Sequence, residues 1–313
     1  MEHTVSTRIY PAERRPAFWK QHLRFWRSLV SAVKQPGGRH GVRSVLLLSS
    51  PAFVRQFAWR HYVSPRPDYQ PVPLSREAGR ELERLRQDGI VAVGRDFGGL
   101  ADYVRERYLA SDFELPADSP LRANGLQVSH SVSFADRRLH EVLFDPEICG
   151  MVCNYYGRQA YYRDNPTVHK EYAAPSAKPL VSGVFHSDSY RQLSFMLLLS
   201  DLTENDTHME FARGSHRDQQ PSYDRTRIDQ QAVPREFEIV HLIGKKGTLF
   251  VFDTEGLHRG AYHQETRREI FHVNMTTGTW PFTNEKYQSL ATIFPEPQAV
   301  AGYVRNFVAG AIK

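Results

Sequence analysis

The chain has 313 residues, 41% of them apolar and 24% charged, enough to bury one large domain with an extension or two small ones, and too evenly mixed to stay disordered. A formal charge of +5 and a pI near 9.1 favour an anionic partner, whether carboxylate, phosphate or membrane lipid, yet no block of five Lys/Arg occurs, which sets nucleic-acid binding aside. With no run of eighteen apolar residues and a polar start from Met1 to Arg15, the expectation is a cytoplasmic protein without a membrane span or signal peptide.

From Pro16 to Lys34 the apolar residues Trp19, Leu23, Trp26, Val30 and Val33 recur at three- and four-residue steps and predict a helix, stopped by Gln35, Pro36, Gly37 and Gly38. Packing on a core is the common fate of such a helix. Phe18, Trp19, Phe25 and Trp26 among Arg and Lys also suit membrane association of residues 16–34 with an acidic surface. Ser50 and Pro51 form a cap and first turn for a second helix, to about Val63. Pro65, Pro67, Pro71 and Pro73 then predict a linker or an extended crossing. Residues 1–73 are thus expected to be a helical extension with a Pro-rich linker, and 74–313 the main domain.

Leu74, Ala78, Leu82 and Leu85 predict an amphipathic helix ending at Asp88 and Gly89, followed by a strand over Ile90–Val93. Cys149 and Cys153 fit neither a C-x-x-C redox pair nor a zinc site, and are expected to be small core residues. From about residue 126 the pattern changes to short β-type runs. Val181–Phe185, Leu193–Leu199, Phe237–Ile243, Thr248–Phe252 and Ile270–Met275 are apolar runs separated by turn residues. Many short strands with few long helices predict a mainly β sandwich or barrel with flanking helices.

His186 and Asp188 stand two apart after the apolar run Leu180–Phe185, so on a strand both point to one side. His258, just beyond Thr248–Phe252, is the candidate third ligand. Two imidazoles and one carboxylate on one face of an octahedron leave three positions open, which suits iron(II) oxygen chemistry. Rival triplets exist at His216, Arg217, Asp218 and at His169, Lys170, Glu171. The first opens a polar stretch where a turn or helix cap is the better account, and no comparable apolar strand leads into the second. Arg267 and Arg268 head the run Ile270–Met275, and an arginine fork is what a buried second carboxylate of a 2-oxo acid requires. Arg267 shares strand parity with Phe271, Val273 and Met275, the more apolar side, and is expected to face inward; Arg268 is the runner-up.

The order of these pieces resembles the phytanoyl-CoA dioxygenase family of iron(II)/2-oxoglutarate enzymes, from about Leu74 to Met275. Leu82–Val93 looks like that family's opening helix, turn and strand, Phe185–Asp188 is similar to its H-x-D box, and Leu199–Asn205 with Met209–Arg217 looks like its N-G and G-S-H segment. Gly247–Asp253, His258 and Arg267 follow in the family's order. The chain departs from it at Arg213, where proline is usual, at 206–208 and at Gly260. The resemblance implies a double-stranded β-helix, a jelly roll of cupin type. It also implies an iron held by His186, Asp188 and His258, 2-oxoglutarate held by Arg267, and dioxygen as the oxidant.

The activity so implied is hydroxylation of a small organic substrate with release of succinate and carbon dioxide. Asp188 fills the position that related halogenases leave open with glycine or alanine, which favours hydroxylation, or desaturation or cyclisation, over halogenation. Tyr161, Tyr162, Arg163, His169, Lys170, Tyr190, Arg191 and Arg217 are candidate substrate residues, a mixture of aromatic and cationic groups that suits an anionic metabolite, such as one of specialised metabolism. The alternatives are a non-catalytic jelly-roll protein binding a metal or ligand, and a membrane-surface oxygenase acting on a lipid-linked substrate.

Overall fold

A computed structural model describes residues 65–110, 116, 118, 126–163, 165–172, 183–188, 192–217, 228–263, 266–277 and 300–309. The helices expected over 16–34 and 50–63 lie outside these residues, as do Val181, Tyr190, Arg191 and Asp218. Residues 65–75 are non-helical, as four prolines in nine residues require. This stretch is tied down rather than loose: Asn154 Oδ1 accepts from Tyr69 Oη at 2.7 Å and from the Val72 N–H at 2.8 Å, while Asn154 Nδ2 donates to the Val72 carbonyl.

Helix α1 (Arg76–Asp88) starts where Ser75 Oγ accepts from the Ala78 N–H, and it buries Ala78, Leu82 and Leu85, the periodic face read from sequence. It ends at Gly89, whose φ of 78° is left-handed and whose N–H reaches the Leu85 carbonyl. A Cβ at Gly89 would lie 2.4 Å from His216 Nδ1. Gly89→Ala should therefore cost more than about 1 kcal/mol, from the backbone strain together with the displaced imidazole. A fall in the denaturant midpoint without a change in slope is the expected reading; an unchanged midpoint contradicts it.

Strand β1 (Ile90–Val93) follows, then α2 (Gly98–Val104), β2 (Leu126–Ser131), α3 (His140–Leu143), α4 (Pro146–Tyr156), β3 (Tyr161–Tyr162) and β4 (Thr167–Tyr172). The second half holds β5 (Gln192–Leu198), β6 (His208–Ala212), α5 (Val233–Glu236), β7 (Ile239–Leu242), β8 (Leu249–Asp253), β9 (His258–Ala261), β10 (Arg267–Thr276) and α6 (Gly302–Ala309). The expected strand at Phe237–Ile243 is shorter because Val233–Glu236 forms a helical turn before it.

Among the described residues all strand pairs are antiparallel. The large sheet runs β1-β8-β5-β10-β4-β2, with β3 on the end of β10, and the small sheet runs β7-β6-β9. The segment 183–188 extends the small sheet, because the N–H and carbonyl of His186 pair with those of His258 at 3.0 and 2.9 Å. From β4 onward the chain alternates between sheets except at β6 and β7, which follow one another in the small sheet, giving β8-β5-β10-β4 opposite β7-β6-β9 and the His186 segment. That order is a double-stranded β-helix, a jelly roll.

The outer face of the large sheet packs on the helices. Leu193, Phe195, Leu197, Phe271, Val273, Met275 and Val251 join α1, α2, α3, α4 and α6 in the main core. Cys149 and Cys153 are free thiols inside it, and burial pushes the Cys153 thiol up to about 11. Between the sheets lies a smaller core in which Ile90, Met196, Leu198, Phe250, Phe252 and Ile270 meet Phe211 and Leu242 from the small sheet. Among the described residues no helix is long and apolar enough to cross a membrane.

Candidate metal centre

Strand alternation decides what faces the space between the sheets. On β9, His258 lies opposite Phe211, whose ring meets Phe252 of the large sheet at 6.1 Å. His258 thus points inward, and His186, its bridge partner, does the same. Phe185, the residue before His186, turns outward to Ala212, Ile228, Val233 and Leu257. Its backbone is clamped by Gln230, which accepts from the Phe185 N–H at 2.6 Å and donates to its carbonyl at 3.0 Å. Asp188, two residues past His186, is positioned by its own N–H on the Thr254 carbonyl at 2.7 Å.

One ligand atom from each of His186, Asp188 and His258 lies within 4.8 Å of the others. The two rings sit 4.4 Å apart. His186 Nδ1 contacts the Val184 carbonyl and His258 Nδ1 the Gly256 carbonyl, each at 2.8 Å. A carbonyl only accepts, so each Nδ1 carries the proton and each Nε2 is the nitrogen able to ligate. Bonds of about 2.0–2.2 Å put neighbouring donors about 3 Å apart around a cation, a separation this trio reaches with small side-chain rotations. Buried imidazoles with the tautomer set from behind, beside a carboxylate, fit a first-row divalent metal.

The inner face of the large sheet carries polar groups on β4, β5 and β10, while Phe252 of β8 meets the His258 ring at 5.9 Å. Ser194 Oγ meets His272 Nε2 at 2.6 Å, and Thr167 Oγ1 meets His169 Nε2 at 2.7 Å. Burial, and then the charges of His169 and Arg268, hold His272 down at about 3, with Arg163 and His258 acting in the same direction. The folded state therefore resists protonating His272. Its contribution to stability is intact above the ordinary histidine pKa near 6.5 and shrinks as pH falls from there toward 3.

The expectation that Arg267 faces inward does not hold. The apolar parity of Phe271, Val273 and Met275 belongs to the helix-covered outer face, and Arg267, on that side, has a 52% exposed side chain beside Glu269. Arg268 alternates with Ile270, His272 and Asn274, faces inward and is 5% exposed. Its Nε and Nη2 hold Glu171 at 2.8 and 2.5 Å, while its Nη1 is buried without a hydrogen-bond partner, as are His169 Nδ1 and Asn274 Oδ1.

The other candidates scatter. His169 and Arg163 lie on the inner side, Arg163 bonded to Gln192. Tyr162 is packed among Phe134, Phe144 and Phe307 in the helical core, and Tyr161 pairs alongside it with Thr276. Lys170 turns to the buried Glu269 on the outer face, and Arg217 is an exposed residue of a 3-10 turn at Ser215–Arg217. In the rival triplets, His216 caps α1 through the Arg86 carbonyl, and Glu171 is the partner of Arg268. Ser194, Gln230, His272 and Asn274 were not singled out from sequence, although His272 and Asn274 share a readable two-residue spacing with Arg268.

No family model and no curated protein matches the chain. Solved structures do. The epimerase SnoN in complex with Fe3+, alpha ketoglutarate and nogalamycin RO is similar at 17% identity and a TM-score of 0.49, over 68% of this chain and 92% of that one. EctD from S. alaskensis with bound Fe matches at 16% and 0.48, over 69% and 80%. AviO1 from Streptomyces viridochromogenes Tue57 matches at 16% and 0.42, over 66% and 96%.

Proposed function

We propose that the chain is an iron(II)/2-oxoglutarate-dependent oxygenase that hydroxylates a small anionic metabolite, with residues 74–313 as the catalytic domain and 1–73 as an extension. The observation that carries this reading is the convergence of His186, Asp188 and His258 on the inner side of a jelly roll. The nearby inward guanidinium of Arg268, with one buried nitrogen unpaired, supports it. His186, Asp188 and His258 would hold the iron, and Arg268 the distal carboxylate of 2-oxoglutarate. When bound, the two supply oxidation of a C–H bond by dioxygen, coupled to conversion of the keto acid to succinate and carbon dioxide.

The chain's own residues then do three things. The Nδ1 contacts of His186 and His258 keep both rings in the ligating tautomer. Met196, Leu198, Phe250, Phe252 and Ile270 keep the floor of the sandwich dry. Arg163, His169, Ser194 and Asn274 line the polar side, where Arg163 adds a second positive charge for an anionic substrate.

The test is succinate release by the full chain with iron(II), 2-oxoglutarate and a panel of anionic and neutral metabolites. Iron-dependent release stimulated by anionic compounds is expected. Turnover of neutral compounds alone would refute the substrate class. No iron-dependent release with any compound would favour a non-catalytic jelly-roll binder.

A further inference from the structure

A second group of metal-capable side chains lies on the opposite face of the small sheet. His208 and Glu210 are two apart on β6 and so share a face, and His241 on β7 stands directly across from Glu210. That face points away from the iron trio, because Met209 and Phe211, of the other parity, turn into the core between the sheets. The ligand atoms of His208, Glu210 and His241 lie within 4.8 Å of one another. His208 is 1% exposed and Glu210 8%, whereas the His241 side chain is 35% exposed and gives an ion a way in.

Each donor is oriented from behind. His208 Nδ1 meets the Asp206 carbonyl at 2.6 Å, which leaves Nε2 as its lone-pair nitrogen. Glu210 Oε2 takes Arg259 Nε at 2.6 Å, which leaves Oε1 for another partner, 3.8 Å from His241 Nδ1. His208 Nε2 and His241 Nδ1 stand 2.8 Å apart. Without an ion, that contact is one hydrogen bond with the proton on His241. Around a tetrahedral ion with bonds of about 2.0–2.1 Å the same nitrogens would sit about 3.3 Å apart, a small shift for a half-exposed ring. We infer that His208, Glu210 and His241 form a second metal site, for a nitrogen-preferring divalent ion such as zinc. Two imidazoles and one carboxylate select that class over calcium or magnesium, which take oxygen donors. The fourth corner takes water, and the His263 ring stacked on His208 at 5.6 Å flanks it.

The test counts zinc on chelator-stripped full-length protein by equilibrium dialysis. Wild type should bind two equivalents, one at each trio, and His241→Gln should bind one with unchanged thermal unfolding. Asp188→Ala/His258→Ala removes the inner trio and should keep one equivalent. In that variant cobalt(II) should give the intense visible absorption of a four-coordinate ion. If it binds neither metal, or if His241→Gln retains both equivalents, the outer trio is a hydrogen-bonded imidazole pair and the proposal falls. Loss of the inner equivalent alone would instead count against the oxygenase reading, so the two can fail separately.

Discussion

His186→Ala and Asp188→Ala should each abolish iron-dependent succinate release while the protein stays folded. Loss of an outer-shell partner of a metal ligand typically costs about 10–100-fold, and removing the ligand itself should exceed that. The structural cost is small by comparison. Asp188 is anchored by its backbone N–H on Thr254, which alanine keeps, and among the contacts His186 loses is that of its Nδ1 with the Val184 carbonyl, worth about 1 kcal/mol. The measurements are iron affinity under anaerobic conditions, succinate release and thermal unfolding. Either variant turning over at the wild-type rate would remove the assignment of the trio.

The two adjacent arginines should behave in opposite ways. Arg268→Lys keeps a charge beside Glu171 but loses the planar fork, and its KM for 2-oxoglutarate should rise by about 10–150-fold, the equivalent of one charge-assisted hydrogen bond of about 1.5–3 kcal/mol. Lysine is the better probe than alanine. Arg268→Ala would strand the Glu171 carboxylate, and breaking a buried pair costs about 3–5 kcal/mol, which would blur binding with unfolding. Arg267→Ala, on a half-exposed side chain, should leave the KM unchanged and stability within about 0.5 kcal/mol. A raised KM in Arg267→Ala with none in Arg268→Lys would reverse the assignment.

That reversal of parity shows where sequence reasoning succeeds and where it stops. Helix α1 was legible because Leu82 and Leu85 mark one buried face and Gly89 closes it. Strands β5, β8 and β10 were legible as apolar runs. Which side of β10 faces the ligands was not, because both sides are buried. The outer side carries Phe271, Val273 and Met275 because five helices cover it, while the side facing the trio carries Arg268, His272 and Asn274, which line the space between the sheets. Apolarity marked the helix-packed face, not the one that faces the trio. Helix α4 escaped notice for a related reason. Ile148 through Tyr156 are all buried, so no polar stripe reveals a period, and its signals are confined to Asp145 and Pro146 at the start and Gly157 at the end. The triplet of His186, Asp188 and His258 could be named because its two-residue spacing falls among further pieces in an order that resembles a known family. His208 and Glu210 have the same spacing, but no such order points to His241, 31 residues beyond Glu210, and only register brings it across.

The stacking of the Arg259 guanidinium on the Phe185 ring, centred 4.4 Å away, has a mechanical consequence. Phe185 and Arg259 are the immediate neighbours of His186 and His258, so the His186 segment and β9 are held together on the face of the small sheet that points away from the trio. The backbone pairing of His186 with His258 is thereby reinforced by a side-chain contact on the face away from the trio. Trimming Phe185 to a smaller residue would loosen the jaws of the clamp without altering a single tooth.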